Sequence, residues 1–173
     1  MDRTFIETLG EDRDQLVNFP FDTSQSFPFT PIPELEKLLD PGIVYDITEQ
    51  KAPYYSGKDK SIHMPAREHY FSEYAFYCAA FHEMAHSTKD TSVPRSFPYG
   101  QEEVVAQLTA MKITRPWRDP VWWDLDCTYL KKFLEQATIE YNRRTGNTIP
   151  LAKMRDSCNY VADLIVRQLK KAK

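Results

Sequence analysis

The stretch from residue 72 to residue 87, "SEYAFYCAAFHEMAHS", constrains the fold of this chain more than any other. It is apolar on nearly every side at helical spacing, so a helix here must be buried all round. Ser72 stands where an N-cap is needed. Inside this helix, His82-Glu83-Met84-Ala85-His86 forms an H-E-x-x-H pattern. Histidines four residues apart share one helix face, where two ring nitrogens can meet one tetrahedral zinc. Glu83 is rotated by about 100° from His82, which lets it reach a water beside the metal rather than the metal. Two imidazoles and a carboxylate are costly to bury without a common partner, and a metal ion is the natural one. The alternative, a pair of core histidines satisfied by protein groups, would need its own buried acceptors.

A catalytic zinc takes a third protein ligand and keeps one position open. Glu102 and Glu103, on the next helical segment, are the candidates. Glu103 begins an E-x-x-A register with Ala106, and so small a residue one turn on allows two helices to approach closely. Glu103 is therefore the expected ligand. Glu102, about 100° away, is expected to be solvated or to support the site from behind. Tyr99, four residues before Glu103, is a candidate donor to a developing oxyanion, with a core or capping tyrosine as the equal alternative. Gln107, one turn past Glu103, can orient a ligand imidazole. Cys78, one turn before His82, is expected to pack. His63 and His69 lack metal-ligand spacing to the pair.

The rest of the chain bounds what such a site can serve. With 173 residues, 42% of them apolar, the chain can bury a proper core. A net charge of −3 gives no reason to expect nucleic acid or an anionic membrane as partner. The basic run "VRQLKKAK" at the C-terminus complements a helix dipole. Three scattered cysteines make neither a disulfide framework nor a Cys-rich zinc site. The N-terminal residues lack a signal-peptide pattern, and no apolar run approaches the ~20 residues that span a bilayer. A soluble, cytoplasmic protein is expected.

Residues 1–31, rich in Phe and Pro, read as an irregular arm that packs through its aromatics or stays mobile. Residues 32–173 read as one domain. A short helix starts at Pro33. "GIVYDIT", "APYYS" and "SIHMP" then suggest a small sheet, with Gly57-Lys58-Asp59 as the turn between the last two. After the H-E-x-x-H helix come "QEEVVAQLTAMKI", a long helix from "DLDCTYL" to the stop at Gly146, and a last helix opened by Pro150 and running to about Gln168. The fold class is α+β, with a small N-terminal sheet, the active-site helix, and a helical C-terminal half.

In order along the chain, "APYYSGKDKSIHMP", "FHEMAHST", "YGQEEVVAQL", a tryptophan-containing segment and two long helices ending in "NYVADLIV" resemble the metallopeptidase domain of the ArdC antirestriction family of mobile elements. The resemblance covers residues 32–168. It implies a zincin-like fold with a gluzincin-type site, in which His82, His86 and Glu103 hold one zinc and Glu83 is the general base. It also implies distant kinship with ImmA-type peptidases. Full-length members of that family carry a single-stranded-DNA-binding domain that residues 1–31 are too short to supply, and Gln107 stands where relatives often have glutamate. The expected activity is zinc-dependent hydrolysis of peptide bonds in a peptide or protein substrate, with "SIHMP" as a sheet edge on which that substrate could pair. Its rivals are a zinc-stabilised module that inhibits a host defence factor, and a DNA-protecting protein.

Overall fold

Among residues 20–172, which the computed structural model describes, the elements follow the local chemistry of the chain closely. Helix α1 is short, Pro33–Glu36. Strands β1 (Tyr54–Ser56) and β2 (Ser61–His63) form an antiparallel hairpin in which Tyr55 faces Ile62. Helix α2 spans Glu73–Ser87, and the Ser72 side chain accepts from the Ala75 N–H as its N-cap. Helices α3 (Tyr99–Thr114), α4 (Pro120–Thr145) and α5 (Leu151–Lys171) follow. Helix α4 begins earlier than its apolar pattern suggests, because Asp119 caps the Val121 and Trp122 N–H groups and Pro120 suits the first turn. It stops at Gly146, whose φ of 71° is the left-handed conformation that favours glycine.

The sheet is smaller than expected. "GIVYDIT" forms no strand and contributes a single parallel bridge from Val44 to His63. That bridge lies on the far side of β2, so β2 is covered on both flanks and β1 carries the open edge. The expectation that "SIHMP" exposes an edge is corrected accordingly. The arm splits at the limit of description. Residues 20–31 pack through aromatics, with Phe21 bridged to Tyr70 and Phe29 edge-on to Phe76. The expectations for residues 1–19 lie outside the described residues.

Two apolar clusters explain why α2 is apolar on all sides. Its first three turns, through Tyr74, Phe76, Tyr77 and Phe81, enter a cluster with Phe21, Leu35, Ile62 and Met64. Its last turn enters a second cluster through Ala85, shared with Val104, Ala106, Phe133, Ala137, Met154 and Ile165. The helix runs from the aromatic layer near the sheet into the helical layer, so it has no solvent face to make polar. Helix α3 is equally enclosed, packed against α2, α4 and α5. None of the helices among the described residues is long and apolar enough to cross a membrane.

One close approach sets where α3 begins. A Cβ on Gly100 would lie 2.8 Å from the Ala137 backbone nitrogen and 3.1 Å from its Cα. Backbone cannot give way as a flexible side chain can. Gly100→Ala is therefore expected to destabilise the fold by about 1–3 kcal/mol, the usual cost of overpacking. Denaturant unfolding of the two proteins would measure it, and equal midpoints would mean that α4 shifts freely.

Candidate metal centre

Helices α2 and α3 meet face to face because small residues, Ala85 and Ala106, are fully buried between them. Across that contact, His82 and His86 turn toward Glu103. Their donor atoms form a small triangle. His82 Nε2 and His86 Nε2 are 3.1 Å apart, His82 Nε2 is 3.3 Å from Glu103 Oε2, and His86 Nε2 is 3.5 Å from Glu103 Oε1. A tetrahedral ion with bonds of about 2.0–2.1 Å to nitrogen has donor atoms about 3.3–3.4 Å apart. The two imidazole nitrogens are close to that spacing, and each meets a different oxygen of Glu103 at a similar distance, so His82, His86 and Glu103 are positioned to bind a metal.

The remaining atoms of the three side chains are also engaged. Each imidazole has its Nδ1 against an acceptor: His82 Nδ1 is 2.9 Å from Gln107 Oε1, and His86 Nδ1 is 3.1 Å from Glu102 Oε1. With Nδ1–H donating to these oxygens, a neutral imidazole presents its Nε2 lone pair to the triangle. Two lone pairs at 3.1 Å repel unless a cation or a proton lies between them, which is the chemistry of a ligand pair. Glu103 Oε2 accepts from the Tyr129 hydroxyl at 2.8 Å. Glu102 is itself clamped by Arg95, whose Nε and Nη2 donate to its two oxygens at 2.9 and 2.7 Å. The same guanidinium donates to Thr88 Oγ1 and to the Ala85 carbonyl, so it also closes the C-terminal end of α2.

Sequence reasoning left two possibilities open for Glu102. It is buried and bonded to His86, not solvated. Gln107 meets an imidazole as its spacing suggested. Arg95 and Tyr129 were missed. Arg95 sits in a Pro-rich loop with no periodicity, and Tyr129 is one residue of a long amphipathic pattern. The only available signal for Arg95 was that a buried glutamate needs a cation. Cys78 packs, and His63 and His69 stand apart from the triangle. His63 pairs with Asp46 at 2.9 Å and stacks on Tyr54, while His69 Nδ1 lies 2.6 Å from the Gln25 carbonyl.

The triangle lies in the wall of a cavity of about 570 Å³. Glu83 lines it too, outside the group of three, with its carboxyl pushed above the usual range by burial. His82, His86 and the backbone N–H of Tyr55, on β1, oppose that shift. Tyr99 stands at the mouth, 61% exposed, its ring edge-on to Phe133. Burial penalises a charge on His82, but Glu103, Glu83 and Gln107 outweigh it and hold the imidazole at about 9. Burial likewise works against the Glu103 carboxylate, and the histidines and Tyr129 overcome it, leaving it at about 2.

A family model described as zincin-like metallopeptidase matches residues 33–136, from α1 into the second half of α4. That span contains every residue of the cavity wall discussed above. No curated protein and no solved structure matches the chain.

Two outcomes are expected of metal titrations. Glu103→Ala should weaken zinc binding more than Glu102→Ala, which should cost the ~10–100-fold typical of removing a group that orients a ligand. Competition against a chelator ranks the two, and the reverse order would exchange their places. Second, His82 is protonated below about 9 and must lose that proton to offer Nε2, whereas Glu103 is already ionised. Zinc binding at neutral pH should therefore release about one proton per ion and tighten as pH rises. Calorimetry in buffers of different ionisation enthalpy reads that proton, and none released would overturn the arrangement.

Proposed function

The chain belongs to the zincin-like metallopeptidase family, and from that premise we propose that it hydrolyses peptide bonds with zinc held by His82, His86 and Glu103. The observation that carries this reading is the convergence of His82, His86 and Glu103 in a cavity wall, with a second acidic side chain, Glu83, lining the same cavity outside the group. A purely structural zinc has no use for such an acid. Zinc in this position would supply Lewis acidity, polarising a carbonyl and bringing the pKa of a water toward neutrality.

The residues of the chain do the rest. Glu83, steadied by the Tyr55 N–H, takes the proton of the attacking water and passes it to the leaving nitrogen as the C–N bond breaks. The Tyr99 hydroxyl donates to the carbonyl oxygen as negative charge builds on it. Gln107 and Glu102 hold the two imidazoles in the tautomer that presents Nε2, and Tyr129 fixes the Glu103 carboxylate. The open edge of β1 borders the cavity through Tyr54 and Tyr55, where an extended peptide or protein segment can pair through its main chain. The ordered motifs of residues 32–168 further support kinship with the ArdC-type proteins of mobile elements.

Glu83→Gln tests the mechanism, because it keeps the side chain's size and removes its basicity. Zinc content and folding should be retained, while peptide cleavage falls by the ~10²–10⁴-fold that general-base catalysis supplies. Equal cleavage by the two zinc-loaded proteins would rule out the role given to Glu83.

A further inference from the structure

The cavity continues past the metal-binding residues toward the N-terminal half of α2, and a second acid lies there. Asp126, on α4, lines the same cavity, and its Oδ2 accepts from the Tyr74 hydroxyl at 2.6 Å and from Cys78 Sγ at 3.5 Å. Tyr74 and Cys78 are two turns and one turn before His82, so this carboxylate is held on the side of the first histidine that faces the start of α2. The amide of Gln107, whose oxygen meets His82, also donates to it, and the rest of its surroundings are apolar. Ala75, Ala79, Trp122 and Leu125 form the wall on either side. Such walls suit an aliphatic stem with a charge at its tip.

Among the described residues, no Lys or Arg forms an ion pair with Asp126. Its hydrogen-bond partners, Tyr74, Cys78 and Gln107, are all neutral. Lys89 also lines the cavity, but it follows Cys78 by eleven residues, roughly 15 Å further along the same direction. Burial raises the Asp126 carboxyl to about 6, against the pull of Tyr74, Cys78 and His82. A carboxylate in a low-dielectric pocket, bonded to neutral donors only, is costly unless a cation arrives with the ligand.

Building on the peptidase reading above, we propose that this end of the cavity is a subsite for a basic side chain. Asp126 pairs there with the guanidinium of an Arg, or the ammonium of a Lys, beside the bond to be cleaved. The stem of that side chain packs between Trp122 and Leu125, and the Tyr74 hydroxyl holds the carboxylate in place. The subsite selects among substrates by charge and takes no part in bond cleavage.

The test separates the subsite from the peptidase activity. N-acetyl-argininamide and its neutral isostere N-acetyl-citrullinamide are titrated into the zinc-loaded protein, following the Trp122 indole N–H by NMR. The acetyl caps remove any free amino terminus. The arginine compound should bind at least about tenfold more tightly than the citrulline compound, and Asp126→Asn should erase that difference. Because the first comparison uses the unaltered protein, it stands even if Asp126→Asn fails to fold. Equal binding of the two compounds, or none, would overturn the subsite. Cleavage of otherwise identical peptides with Arg or citrulline at each position flanking the bond is run alongside. Selective binding without cleavage of any peptide would retain the subsite and remove the peptidase reading. Cleavage indifferent to the Arg-for-citrulline exchange would do the reverse.

Discussion

Between α2 and α3, two imidazoles and three carboxylates are withdrawn from water, and the rest of the structure is arranged around keeping them there. Each such group, left unpartnered, would cost several kcal/mol. The close helix contact through Ala85 and Ala106 brings the acids of one helix within reach of the histidines of the other. The loop before α3 then has a definite task. It delivers Arg95 into a space where its guanidinium neutralises Glu102 and satisfies the carbonyl of Ala85 at once. The start of α3 is held by the same logic, since Gly100 lets the helix lie directly on the backbone of α4.

The three donors are backed by chemically different groups: an amide for His82, a carboxylate paired with arginine for His86, and a phenol for Glu103. A carboxylate makes its imidazole a stronger electron donor than an amide does. The two histidines are thus unequal ligands in spite of their matching positions on the helix. The phenol draws density away from one oxygen of Glu103. These partners come from α3, α4 and the loop between α2 and α3, so a metal at the triangle would tie all of them to α2 through one ion.

How much of this could be read from the sequence depends on whether the determinant is local. The cap at Ser72, the stop at Gly146, the opening of the last helix at Pro150, the periodicity of the helices and the H-E-x-x-H spacing are local, and the fold class follows from them. The choice of Glu103 over Glu102 was also legible, because it rests on a helical register and one small residue, Ala106. The sheet was less so. "GIVYDIT" has the composition of a strand, yet it meets the far flank of β2 at a single bridge, Val44 to His63, with one further bond from the Ile47 N–H to the Met64 carbonyl. Arg95, Tyr129 and Asp126 could not be assigned from their neighbours in sequence. Tyr129 and Asp126 meet partners dozens of positions away, and Arg95 reaches nearby residues from a loop without periodicity, so no spacing rule reports their roles.

Glu83 is steadied by a main-chain N–H, that of Tyr55, in addition to the charges around it. A donor of this kind belongs to the peptide bond and not to any side chain. Exchanging residue 55 for another amino acid leaves the donor where it is, with proline as the exception because it has no N–H. The acid next to the metal site is thereby insulated from most single-residue changes on the strand beside it. The outward surface of that strand is free to diversify, and with it the segments that can lie along the cavity, while the geometry at Glu83 stays the same.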